Sequence, residues 1–194
     1  MNKKNILIIN AALNGRLGST EKLLQIAAKK LSENFDIDFI YLNEHNTYNK
    51  YLEKILNAAG FIIGTGVHWS SWSSLFQKFI EGATDGEGSK LWLGKPCGFV
   101  VTSHSFGGAE VLSKLITTMN LFGCYTPPCC GVSYSMAEHD ALKLEKNKEK
   151  SEYWRLEHID TVLCHNFAES LNDSKNWKFW NDYPEHSLEK AWLE

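Results

Sequence analysis

The sequence has no apolar stretch approaching the roughly 18 residues that a membrane-spanning helix needs. It also has little excess charge of either sign: 20 Lys and Arg against 23 Asp and Glu leave a formal net charge of −3 over 194 residues. That balance argues against a nucleic-acid binder, which would show a basic stripe. Met1-Asn2-Lys3-Lys4-Asn5 opens basic but leads to only about five apolar residues, where a secretory signal has roughly 7–15. A cytoplasmic protein is therefore expected. The five cysteines, Cys97, Cys124, Cys129, Cys130 and Cys164, form no CxxC pair. This weakens a zinc or iron–sulfur reading, and no metal site is expected. An odd number of thiols in a reducing compartment predicts buried free cysteines rather than disulfides. GxxxxGK[ST] and GxGxxG are both absent, which excludes a nucleoside-triphosphate loop and disfavours a dinucleotide fingerprint. No Asp closes the first or third predicted strand, where a phosphoacceptor domain would need carboxylates for Mg²⁺.

Aromatic residues are plentiful: ten Phe, seven Tyr and seven Trp. At about 150 residues per domain, the length suits one domain with extensions. Such a domain buries roughly 70 % of its unfolded surface and needs no covalent staple.

Ile6-Leu7-Ile8-Ile9 is a short continuous apolar run, the pattern of a strand covered on both faces. Leu23, Leu24, Ala27 and Leu31 then recur at helical spacing. Residues 35–40 alternate and read as a second strand nearer an edge. A helix is expected over 51–59, a buried strand over 61–63, and an amphipathic helix around Leu75, Phe76, Phe79 and Ile80. A strand over 97–102, a helix through Val111, Leu115 and Met119, and a strand near 131–134 follow. Residues 141–150 are charged, and 153–171 can form a last helix. The order βαβαβαβαβα predicts a parallel sheet with helices on both faces. Ligands bind such sheets outside the carboxyl ends of the strands, so three loops matter: 10–20, 64–74 and 102–110.

The first loop runs from Asn10 through Ala12, Arg16 and Gly18 to Ser19 and Thr20. It leads from a buried strand into a helix N-terminus, whose free N–H groups and dipole favour an anion such as phosphate. A plain helix cap by Ser19 or Thr20 is the alternative. The second loop, Gly66-Val67-His68-Trp69-Ser70-Ser71-Trp72, offers indole faces to an aromatic ligand; an exposed dimer contact is the alternative. The third, Ser103-His104-Ser105-Phe106-Gly107-Gly108, again combines hydroxyls, a histidine and paired glycines before a helix. A glycine-rich turn would explain it alone. All three loops share one sheet edge, which favours a ligand site.

Residues 4–123 resemble the flavodoxin-like family of NAD(P)H-dependent FMN reductases and quinone reductases. Lys4-Asn5-Ile6-Leu7-Ile8-Ile9-Asn10 with Gly18-Ser19-Thr20 resembles the family's strand and phosphate loop. Gly64-Thr65-Gly66-Val67-His68-Trp69, continued by Ser73-Ser74-Leu75-Phe76-Gln77-Lys78-Phe79-Ile80-Glu81, is similar to Thr-Pro-x-Tyr-x-x-x-x-Ser and Leu-Lys-x-Phe-Ile-Asp. Leu93-Gly94-Lys95-Pro96 and Gly107-Gly108-Ala109-Glu110 resemble Gly-Lys-Pro and Gly-Gly-x-Glu. The chain departs from the pattern at Ala12 (commonly Ser), Gly66 (commonly Pro) and His68 (commonly Tyr).

The resemblance implies a three-layer αβα sandwich with a five-stranded parallel sheet of order 2-1-3-4-5. It implies FMN with its phosphate at Gly18–Thr20 and its ring between the second and third loops. The cofactor-binding set is then Asn10, Ala12, Arg16, Gly18, Ser19 and Thr20; Gly66, Val67, His68, Trp69, Ser70 and Trp72; and Ser103, His104, Ser105, Gly107 and Gly108. NADH or NADPH would reduce the flavin, which would reduce a small acceptor such as a quinone or flavin. The cofactor carries the redox chemistry, so His68 and His104 are the only catalytic candidates. A homodimer or homotetramer is implied. The rival is a flavodoxin-type electron carrier, which uses stronger negative charge to dock partners. Residues 1–171 are expected to form the FMN-binding domain. Residues 172–194 form a Trp-rich tail expected to pack on it or on a partner subunit.

Overall fold

Two cores are built on β1 (Asn5–Asn10). Successive strand side chains point to opposite faces, so Leu7 and Ile9 enter one core and Ile6 and Ile8 the other. All four are fully buried, each contributing about 1.5–3 kcal/mol. The structure, a computed structural model, describes residues 3–45, 47–144 and 154–172.

The remaining strands are β2 (Asp36–Tyr41), β3 (Gly60–Gly66), β4 (Cys97–Ser103) and β5 (Gly131–Ser135). All neighbours pair in parallel, in the order β2-β1-β3-β4-β5, as the resemblance implies. The helices are α1 (Ser19–Leu31), α2 (Leu52–Asn57), α3 (Ser74–Ala83), α4 (Gly108–Leu121), α5 (Met136–Leu144), α6 (Trp154–Glu157) and α7 (Cys164–Asn172). One face of the sheet packs Leu23, Leu24 and Ala27 of α1 with Ile159 and Phe167. The other packs Ile55 of α2, Phe76 and Phe79 of α3, and Val111 and Leu115 of α4. Register aligns the strand ends: Asn10 lies opposite Gly64, Gly66 opposite Thr102, and Thr102 opposite Tyr134. The three loops therefore emerge side by side.

Some expectations change. The helix expected over 51–59 is shorter: a 3₁₀ turn over Tyr48–Tyr51 leads into α2. Both tyrosines are buried, which pulls the turn in early. Lys95 Nζ donates to the carbonyls of Ile55 and Leu56 and ends the helix. The helix expected over 153–171 contains a π-helical stretch, His158–Leu163, between α6 and α7. Ile159, Leu163, Phe167 and Leu171 are buried at intervals of four. On a helix of 3.6 residues per turn that spacing drifts off its face, and a wider π turn absorbs the drift.

Cys97, Cys124, Cys130 and Cys164 are buried free thiols, as expected, but Cys129 is exposed, at φ 59°. Its place in the tight turn before β5 turns it outward. The charged stretch after Ala141 begins as the end of α5; residues 145–150 lie outside the described residues. So does the tail beyond Asn172, with Trp177, Phe179, Trp180, Tyr183 and Trp192. No helix among the described residues is long and apolar enough to cross a membrane. The described residues also hold no cluster of His, Cys, Asp and Glu able to bind a metal ion.

Candidate functional site

The first loop hangs on Asn10, which is fully buried. Its side-chain oxygen accepts from Ala12 N–H (3.0 Å), and its amide donates to Gly15 O (3.3 Å) and Glu21 Oε2 (2.7 Å). Glu21, in the first turn of α1, also accepts from Gln25 and from the Tyr41 hydroxyl. Burial, reinforced by that bond to Glu21, pushes the Tyr41 hydroxyl up to about 12. Asn10 is thus the strut under the loop, with its polar atoms spent inside it. Gly15 turns at φ 47°, where a Cβ would strike the Asn43 side chain. The Arg16 guanidinium lies 3.7 Å over the Tyr41 ring and bonds Glu44 at 2.7 Å, so in this structure its charge is engaged by that pair.

The cap alternative does not hold for α1. Its N-cap is Gly18, in extended conformation, with no side-chain cap hydrogen bond. Ser19 is the first helical residue, its hydroxyl 3.8 Å from Met136 sulfur. The Thr20 hydroxyl is 2.7 Å from that of Thr102. Among the described residues, no capping side chain accepts from the first-turn N–H groups. α4 repeats the pattern: its N-cap, Gly107, sits at φ 85° with no side-chain bond. Only glycine takes that conformation without strain. A Cβ on the adjacent Gly108 would sit 2.1 Å from Ser133 Oγ, so a side chain there would force that hydroxyl to turn away.

α3 differs. Ser73 caps it, accepting from Phe76 N–H at 3.2 Å, and its hydroxyl also donates to the Ala11 carbonyl. Fully buried Ser73 and Thr65 tie the second loop to the first. Neither was in the set inferred from sequence, nor was Thr102. For Ser73 the signal was present: a serine just before an amphipathic run is a cap signature. Nothing in the sequence marks the Thr20–Thr102 pairing, which depends on strand register.

The second loop is a tight hairpin. Val67 N–H donates to Thr102 O, and His68 and Ser71 exchange backbone hydrogen bonds of 2.8 and 3.0 Å. The two residues between them, Trp69 and Ser70, have φ 49° and 59°. Consecutive positive φ is the type I′ pattern, normally filled by Asn-Gly. Each non-glycine residue there costs about 1–3 kcal/mol. The Trp69 side chain is fully exposed. Trp72, expected beside it on the ligand wall, instead roots the loop: it packs edge-on against Phe76, and its indole N–H bonds Gln77 at 2.8 Å. His68 is half-buried. Its Nε2 lies 3.3 Å from where a Cβ on Gly66 would be, so the two departures from the family pattern touch each other.

In the third loop, Ser103 is buried and donates to Tyr134 O, and Ser135 donates to Ser105 O. The His104 carbonyl accepts from Ala137 N–H at 2.7 Å. The His104 side chain is exposed. Gly107 approaches the second loop, its Cβ position 3.2 Å from Val67 and 3.8 Å from the Ser70 Cα.

A five-stranded parallel sheet of order 2-1-3-4-5 with helices on both faces defines a flavodoxin-like α/β protein. The family model for NADPH-dependent FMN reductase matches residues 5–139, and the chain belongs to that family. Its cofactor is FMN and its co-substrate NAD(P)H. It is an NAD(P)H-dependent FMN-containing reductase. Solved structures share the fold. An oxidoreductase from Corynebacterium diphtheriae matches at 16 % identity and TM-score 0.70, covering 90 % of this chain and 100 % of that one. FerB of Paracoccus denitrificans, described as an NAD(P)H:(acceptor) oxidoreductase, matches at 17 % and 0.62, covering 86 % and 98 %. A flavodoxin, WrbA-like protein from Agrobacterium tumefaciens matches at 13 % and 0.65, covering 87 % and 98 %. No curated protein sequence matches the chain.

Proposed function

We propose that the protein passes electrons from NAD(P)H through FMN to a small acceptor of the quinone or flavin type. The uncapped first turn of α1 carries this reading: Ser19 and Thr20, just after Gly18, present helix-start N–H groups where a phosphate would gain most. The donor set fits the cofactor. Ala12 and Arg16 border that turn, and Asn10 holds it in shape. The flavin ring would lie along Gly66, Val67, His68 and Ser70 on one side and Ser103, His104, Ser105, Gly107 and Gly108 on the other. Trp69 and Trp72 complete the second loop. Bound FMN would supply hydride acceptance and onward transfer. The protein would supply position, backbone hydrogen bonds and a dipole at each helix start. His68 and His104 would offer polar contacts at the ring's edge. We further propose a cytoplasmic homodimer or homotetramer.

The test is spectroscopic. Purified protein should carry flavin absorption, or bind added FMN with quenching of Trp fluorescence, and NAD(P)H should bleach it anaerobically. Bound FMN that never bleaches would instead make the protein an electron carrier. Absence of any FMN binding would refute both readings.

A further inference from the structure

Glu21 is buried in the first turn of α1. An enclosed carboxylate is costly unless it is paired and hydrogen-bonded. Among the described residues Glu21 makes no ion pair. It is held instead by three neutral donors: the Asn10 amide on Oε2 at 2.7 Å, and the Gln25 amide and Tyr41 hydroxyl on Oε1 at 2.7 and 2.9 Å. They come from the end of β1, the next turn of α1 and the end of β2.

Counting from its N-cap, Gly18, Glu21 is the third helical residue. A Glu at that position commonly folds back on the helix start and bonds the N-cap N–H, closing a capping box. Here the Gly18 N–H is already taken by the Gly15 carbonyl at 3.2 Å. The Glu21 side chain is drawn sideways, toward β1 and β2. The helix start thus goes without a side-chain cap while the acid suited to cover it is tied elsewhere.

We propose that Tyr41 is a positioning residue for the cofactor phosphate: with Asn10 and Gln25 it tethers Glu21 away from the start of α1, leaving the first-turn N–H groups to the phosphate. This rests on the reading that seats the FMN phosphate at that turn. Tethered, the carboxylate gives the helix start the nearby negative charge it favours without occupying its donors. Released, it would compete with the phosphate for them, anion against anion. The Tyr41 hydroxyl is suited to the task, because burial, reinforced by the bond to Glu21, pushes it up to about 12 and keeps it a donor. The Tyr41 ring also seats the Arg16 guanidinium, 3.7 Å from its centre. One side chain therefore restrains both the acid of α1 and the base of the first loop.

The experiment titrates the full chain, freed of flavin, with FMN and with riboflavin, which lacks only the phosphate. Fluorescence gives both dissociation constants without NAD(P)H or turnover. Tyr41→Phe removes the hydroxyl and keeps the ring beneath Arg16. The ratio of the riboflavin constant to the FMN constant should fall at least about fivefold in Tyr41→Phe, with riboflavin binding unchanged. Adding Glu21→Gln to Tyr41→Phe should return the ratio to the parent's value or above, because a neutral amide is no rival to a phosphate. Glu21→Gln alone should not lower it. A ratio unmoved in Tyr41→Phe, or left equally low when Glu21→Gln is added, would overturn the tether. Equal weakening of FMN and riboflavin would make Tyr41 a general support of the fold and overturn it too. A parent that binds riboflavin as tightly as FMN would remove the phosphate seat itself, and the tether with it. A parent that prefers FMN, beside a Tyr41→Phe variant with the same preference, removes the tether alone.

Discussion

The hydroxyls of Thr20 and Thr102 lie 2.7 Å apart in the buried floor between the first and third loops. One comes from the first turn of α1 and the other from the end of β4, 82 residues later. The bond fixes the start of α1 relative to the strand that carries the third loop. Thr20→Val should leave the Thr102 hydroxyl without its partner, at a cost of about 1–3 kcal/mol. Adding Thr102→Val should recover most of it. Urea unfolding of the two single variants and the double variant tests this; a double variant as unstable as the sum of the singles would contradict the pairing.

Gly66 and His68 are coupled by contact, because a Cβ at 66 would press on the His68 ring. Gly66→Ala should weaken FMN binding in the parent and have little effect in a His68→Ala background. The expected coupling is about 0.5–3 kcal/mol, read from FMN titrations across the four combinations. Additive effects would mean the two departures from the family pattern are independent.

Asn10→Ala should destabilise the domain by about 2–3 kcal/mol, since three hydrogen bonds are lost and the Glu21 carboxylate loses a buried donor. Asn10→Asp should be worse, placing a second carboxylate beside Glu21. Thermal unfolding distinguishes the order: Asp at or above the parent would show that Glu21 is not held as described.

Ser70→Gly should raise stability by about 1 kcal/mol by relieving positive φ while keeping Trp69. A rise in melting temperature is the expected result. A fall would mean that the Ser70 side chain contributes more than its backbone strain costs.

Alkaline pH should destabilise the fold through its thiols. Burial pushes Cys130 and Cys164 up to about 12. Their folded values lie above the unfolded value, so the folded state holds protons that the unfolded state releases. Their contribution is complete below about pH 9 and is lost as pH rises toward 12, at up to about 1.4 kcal/mol per pH unit per thiol. Tyr41 and Tyr48, also raised to about 12, add to the loss only above about pH 10. Replacing Cys130 and Cys164 with alanine should flatten the dependence of the urea midpoint between pH 9 and 10. An equally steep dependence in that variant would exclude these thiols as its source.

Periodicity and loop chemistry were legible in the chain because they are local. An all-apolar run such as Ile6–Ile9 has meaning only between two layers, and it announced a parallel sheet. Glycine before Ser19 and paired glycines at 107 and 108 marked helix starts. The fates of the aromatics were not legible, because a ring's surroundings come from distant segments. Trp72 turned inward because Phe76 and Gln77 sit one helical turn beyond the hairpin, while Trp69 was forced outward by a backbone turn closed between His68 and Ser71. The π stretch after Glu157 likewise answers to the shape of the core beneath it.

By itself, then, the sequence determined the sheet, its helices and the loops at its carboxyl edge, since hydrophobic period and turn residues act over a few positions. Only the tertiary structure decided which residues brace that edge and which face outward from it. Ser73, Thr20 and Thr102 became struts because strand register brought their polar atoms within bonding distance, Asn10 because its own loop and the start of α1 fold back onto it, and Trp69 became the exposed rim because the turn closed between His68 and Ser71 points it outward.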